Sequence, residues 1–249
     1  MKRMSRAVLA GGIIAASVTG ALAGCSSSDT SVAPTTASSS ATSPPAEVKP
    51  PSTRESERAL FDAVDRNDPA AITAALASGA NIEARGEGER TPLVEATKND
   101  AVAAASTLIL AGADVNAKDS MQDSAFLYSG AEGLNEILAL TLAHGADVDS
   151  VNRYGGTALI PASEHAHVES VRMLIAAGVP VNHVNDPGWT ALLEAVVYGD
   201  GSARYIDVIT QLLDAGADPS IRDASGKTAL DNAESRGQSD VVALLQSRS

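Results

Sequence analysis

From residue 79 onward the apolar positions of the chain return in a fixed register instead of forming one continuous run. A Thr or Ser opens a short apolar phrase five times: TPLVEA at Thr91, SAFLYS at Ser124, TALIPA at Thr157, TALLEA at Thr190 and TALDNA at Thr228. The spacings are 33, 33, 33 and 38 residues. A second phrase keeps the same count, with GANI at Gly79, GADV at Gly112 and Gly145, GVPV at Gly178 and GADP at Gly216. A hydroxyl residue before an apolar run predicts a helix N-cap, and Pro92 stands where a first helical residue needs no N–H. Leu93 and Ala96, with their equivalents, put one large and one small residue on one face, so neighbouring helices can approach closely. Pairs such as Leu108 and Ile109, Met173 and Leu174, and Leu212 and Leu213 predict a second helix. The glycine that follows is placed to end it in a left-handed conformation. An extended connector then leads to the next Thr, its turn marked by Asp119, Asn152, Asn185 and Asp223.

Two phrases holding one period over five copies resemble the ankyrin repeat. The resemblance implies an all-α repeat solenoid of helix–turn–helix units joined by β-hairpin fingers, each unit touching only its neighbours. Six units are expected, at about 55–87, 88–120, 121–153, 154–186, 187–224 and 225–249. The outer two act as caps: polar residues stand at the first phrase of one, and VVALLQSRS ends the other before a further glycine. Within the family, TALIPA, VNHVND and WTALLEAVVYGDG look most like exported bacterial ankyrin proteins. Glu95, Tyr128, Pro161 and Glu194 occupy a position that the family often fills with Leu. Only His167 matches the family's loop histidine, which the resemblance implies bonds backbone between the two helices; Ala101, Leu134 and Gln238 stand there elsewhere.

The N-terminal segment follows a different pattern. MKRMSR is basic, AVLAGGIIAASVTGALA is apolar, and Leu22, Ala23 and Gly24 precede Cys25. That order is the layout of a secretory signal, with an uncleaved membrane anchor as the rival. LAGC resembles the bacterial lipobox, which implies a signal peptide over 1–24, lipidation of Cys25 and a place in the bacterial cell envelope, outside the cytoplasm. Cys25 is the chain's single cysteine, so disulfides, zinc ribbons and cysteine nucleophiles are excluded. Residues 25–54, rich in Ser, Thr, Ala and Pro, are expected to be a disordered tether, and 55–249 the repeat domain. The net charge of −13 becomes −16 once Lys2, Arg3 and Arg6 leave with the signal. A domain this acidic is repelled by nucleic acid and anionic lipid, and suits a protein partner with a basic surface.

Motifs for chemistry are few. Gly226, Lys227 and Thr228 end like a phosphate loop, but Ile221 stands where its first glycine is required. His165 and His167, with Glu164 and Glu169 nearby, are the best metal candidates and lack a third ligand at metal spacing. Asp114, Asp147 and Asp218 recur in the GAD phrase and are expected to bond backbone N–H groups of their own turns. No cofactor is implied. The residues left free by the repeat give the candidates for partner contact: Met121, Tyr128, Tyr154, Trp189, Glu194, Tyr198, Arg204 and Tyr205. The last three flank or occupy the five-residue insertion, placed at 200–204 between the helices of the fifth unit, and either chain slack or a contact site explains it. The expected function is a membrane-tethered, non-catalytic protein-interaction module. The alternatives are an accessory to an envelope enzyme that handles peroxide, suggested by the resemblance, and a weak metal-dependent enzyme built on His165 and His167.

Overall fold

The structure, a computed structural model, describes residues 52–248; the expected signal, Cys25 and most of the tether lie outside the described residues. Twelve helices follow in six pairs: α1 (Thr53–Asp65) and α2 (Pro69–Ala77), α3 (Pro92–Lys98) and α4 (Val102–Leu110), α5 (Ala125–Ala131) and α6 (Asn135–Ala143), α7 (Leu159–Glu164) and α8 (Val168–Ala176), α9 (Ala191–Val197) and α10 (Ala203–Asp214), and α11 (Ala229–Ser235) and α12 (Ser239–Gln246). The first helix takes in Thr53 and Arg54, which the sequence assigns to the tether. Ser52 caps it in a reciprocal box: the Glu55 carboxylate accepts from the Ser52 N–H at 2.7 Å, and the Ser52 hydroxyl accepts from the Glu55 N–H.

Each helix pair packs on the next in two rows. The first helices (α1, α3, α5, α7, α9, α11) form one row and the second helices (α2, α4, α6, α8, α10, α12) the other. Leu60, Leu93, Phe126, Leu159 and Leu192 are fully or almost fully buried between them. At about 25 cal/mol per Å² of apolar surface, this shared burial stabilises helices far too short to hold alone.

Thr91, Ser124, Thr190 and Thr228 cap as expected, each hydroxyl accepting the N–H three residues on at 3.1–3.2 Å. Thr157 does not. Pro161 has no N–H to donate back to the Thr157 carbonyl, and it also disfavours helical backbone at Ile160. The Ile160 N–H therefore bonds the Thr157 carbonyl at 3.2 Å, α7 starts at Leu159, and the Thr157 hydroxyl is left buried without a partner. The glycines after the second helices do take left-handed backbone, with Gly112 at φ 96°. A side chain there would meet nothing within 4 Å, so conformation and not space requires the glycine.

Among the described residues there is no strand, so the expected β-hairpin fingers are single closed turns. In each, the first residue's N–H bonds the carbonyl four residues on, as in Asp119 to Asp123, Asn152 to Gly156 and Asn185 to Trp189, at 2.9–3.0 Å. Neighbouring turns share at most one backbone bond, such as Asp186 N–H to the Tyr154 carbonyl at 2.9 Å, too few for a ladder. The marker side chains close the turns as expected: Asp119 Oδ1 accepts from Met121 and Asp123, and Asn152 Oδ1 from Tyr154 and Gly156. Asp114, Asp147 and Asp218 likewise accept from the N–H two residues on.

The insertion is divided between two elements. The turn between α9 and α10 has five residues, 198–202, against three at 165–167. Helix α10 has 12 residues where α4, α6 and α8 have 9. Two of the extra residues thus widen the turn and three add almost one turn of helix.

Candidate functional site

The first-row helices α5, α7 and α9 and the turns 119–123, 152–156 and 185–189 enclose a cleft of about 390 Å³. Helical spacing brings the residue four after each cap, and the end of each first helix, to the side facing the turns. Tyr128 and Glu132 therefore reach the cleft from the α5 side, Ile160, Pro161 and Glu164 from α7, and Glu194 from α9. The turns add Asp123, Arg153, Tyr154, Asn185 and Pro187.

Of the sequence candidates, the cleft gathers Tyr128, Tyr154 and Glu194. Tyr154 is 53% exposed, with the Arg153 guanidinium 4.6 Å from its ring centroid. Glu194 is only 7% exposed. The Asn185 amide donates to Glu194 Oε1 at 3.4 Å, and Asn185 Oδ1 is itself fixed by the Trp189 N–H at 2.7 Å. Burial pushes the Glu194 carboxyl up to about 7, the charge of Glu164 adds to this, and the Asn185 bond opposes it. Glu164 and Glu132 were not singled out as contact residues; the signal was an acidic residue at the end of the first helix, Glu164 closing α7 and Glu132 following α5. The cleft lining contains no Ser, Thr, Cys, His or Lys.

The other candidates lie apart from the cleft. Met121 is exposed at the tip of the turn 119–123. Trp189 is half-buried, its ring 6.3 Å from the exposed Tyr198. Arg204 is exposed, 5.3 Å over the Tyr205 ring. Tyr205 departs from the surface position expected of it: it is 7% exposed and its hydroxyl donates to the Glu164 carbonyl at 2.8 Å. The added turn of α10 puts Tyr205 in the register of His167 and Gln238. Gln238 reaches back in the same way, donating to the Val196 and Gly199 carbonyls at 3.1 and 2.8 Å. Both side chains tie one repeat to the repeat before it.

The His167 ring makes no backbone bond, contrary to the expectation from the family. It packs on Gly133, where a Cβ would lie 2.6 Å from its Nδ1, and meets the His165 ring edge-on at 5.7 Å. Burial, then His165, lowers its pKa. Among the described residues no group of three or more His, Cys, Asp or Glu side chains is placed to hold a metal ion.

The comparisons with known proteins agree with this architecture. A family model described as ankyrin repeats in three copies matches residues 126–223, and a single ankyrin repeat model matches 88–120. The structure is similar to the crystal structure of an ankyrin repeat domain from Acinetobacter baumannii, with 51% sequence identity and a TM-score of 0.74. That match covers 76% of this chain and 96% of the other. The crystal structure of the ankyrin repeat protein EF0377 is similar at 38% identity and a TM-score of 0.73, covering 76% of this chain and 97% of that one. No curated protein matches the sequence.

Proposed function

Because the chain belongs to the ankyrin repeat family, we propose that it is a non-catalytic module that binds one protein partner across the cleft over α5, α7 and α9. The observation that carries this reading is the cleft itself. It joins the exposed Tyr154 to Glu164 and Glu194, which have no ion-pair partner among the described residues. Tyrosine is among the side chains that dominate binding hot spots, and a carboxylate pairs strongly with an arginine or lysine of a partner. The tethered, extracytoplasmic placement is part of the proposal and rests on the leader and LAGC sequence: lipid on Cys25 would hold the module at the envelope membrane.

One experiment in cells tests both parts. A photoreactive residue at position 154 should give one discrete crosslinked species, while the same residue at Leu110, 72% exposed on the second helix row, should give none. The wild-type protein should sediment with membranes, and Cys25→Ala should move it to the soluble fraction. Equal smears from both positions would defeat the interaction reading, and unchanged fractionation would defeat the anchor.

A further inference from the structure

The solenoid contains a filled counterpart of the cleft, two periods earlier in the same register. There, Lys98 in the last turn of α3 places Nζ 2.7 Å from Asp123 Oδ2 and 3.4 Å from Asp119 Oδ2. The same ammonium sits 4.2 Å from the centroid of the Tyr128 ring, and its side chain is 12% exposed. Two carboxylates and an aromatic face thus hold one cation, in the geometry of an ion pair reinforced by a cation–π contact.

Two periods on, the register positions of Lys98, Asp119, Asp123 and Tyr128 are held by Glu164, Asn185, Trp189 and Glu194. The lysine has become a carboxylate and the tyrosine a second one. Neither Glu164 nor Glu194 has an ion-pair partner among the described residues. The single hydrogen bond to the Glu194 side chain is the long one from Asn185. Between these two steps the register carries Ala131, Asn152, Gly156 and Pro161, with no charge at all. At the last step Asn232 Nδ2 answers Asp223 at 2.9 Å, under Val197 in place of a charged residue. At the first step the positions of Glu164 and Glu194 are held by Asp65 and Glu95, and Arg90 answers Glu95 at 3.1 Å. Of the five steps, only the one between α7 and α9 sets two carboxyls in these positions with no ion-pair partner among the described residues.

A nine-tenths-buried carboxylate without a counter-charge is costly, and the molecule answers the carboxylates of two earlier steps with a cation of its own, Arg90 at Glu95 and Lys98 at Asp119 and Asp123. We infer that the cleft receives the cationic side chain of an arginine or lysine presented by the partner protein. The cationic head lies between Glu164 and Glu194, and its methylenes run along Tyr154, Ile160 and Pro161, which line the same cleft. The inference rests on the protein-binding reading above and states what that partner must present.

Trp189 is the only tryptophan in the chain and adjoins Asn185 through its backbone bond, so its fluorescence reports on the site. The full chain is titrated with acetylated, amidated Ala-Arg-Ala and, in parallel, with the neutral Ala-Gln-Ala peptide. The arginine peptide should give a saturable change, at least about tenfold tighter than the neutral one. Glu164→Lys, which restores the register of Lys98 and supplies an internal cation, should abolish saturation. Glu194→Gln, which keeps the shape of the side chain, should weaken it at least about tenfold. Equal titration by the two peptides, an unaltered titration in the variants, or saturation by calcium chloride but not by the arginine peptide would each overturn the inference. A discrete crosslink from position 154 that persists in Glu164→Lys would overturn it as well, yet leave the interaction reading standing. Loss of any discrete crosslink from the wild type would remove that reading too.

Discussion

Glu194 shows what one residue of the repeat register can do when its chemistry is changed. Its side chain faces the cleft yet is almost fully buried, and that burial is what pushes its carboxyl up to about 7. The sign follows from its folded pKa of about 7 lying above the ordinary value of 4.5. The folded chain holds the proton more tightly, so the contribution of this group to stability is greatest below pH 4.5 and is lost as pH rises to about 7. Glu194→Gln should therefore leave Tm almost unchanged relative to wild type near pH 4.5 and raise it by roughly 2–4 °C at pH 8. Equal melting of the two proteins by circular dichroism at pH 8 would contradict this. At this scale the sequence was partly legible. Tyr128, Tyr154 and Glu194 were found as departures from the repeat, and they meet in the cleft. Tyr205 looked like a surface residue because its burial depends on where α10 starts, and no residue type in the insertion announces that start.

Among the elements, α7 is the irregular one. Its phrase TALIPA carries the same Thr as its neighbours, so the sequence predicts the same cap, but one proline four residues later removes the bond on which the cap depends. The helix loses its first residue and a buried hydroxyl loses its partner, a defect of about 1–3 kcal/mol. Pro161→Ala should restore the N–H, let Thr157 cap as Thr190 does in α9, and raise Tm by about 2–4 °C. A lower Tm would show that the proline is supported by contacts the cap argument omits. The turns were legible as turns, since Asp119, Asn152, Asn185 and Asp223 bond their own backbone. Their reduction to single closures without a ladder was not, because it depends on the distance between neighbouring turns and not on residue type. The insertion was legible in length; its split into a wider turn and a longer α10 follows from Tyr205 taking the register of His167, which ties it to the preceding repeat.

For the whole described domain, the period alone dictated two rows of helices, because a unit this short buries its apolar face only against another copy. The register also exposes where the copies differ in charge, and that is where the cleft lies: a lysine holds two aspartates at an early step, and two glutamates stand without a cation at a later one. The identity of the partner is not written in the repeat, since stacking constrains the buried positions and leaves those facing the cleft free to vary. The central claim is that partner binding uses the first-row cleft and not the second-row helices. Hydrogen–deuterium exchange of the full chain, alone and with the partner captured from position 154, tests it most directly. Slowed exchange in the turns 152–156 and 185–189 with no change across α4, α6 and α8 is the predicted result; protection confined to those second-row helices would contradict it.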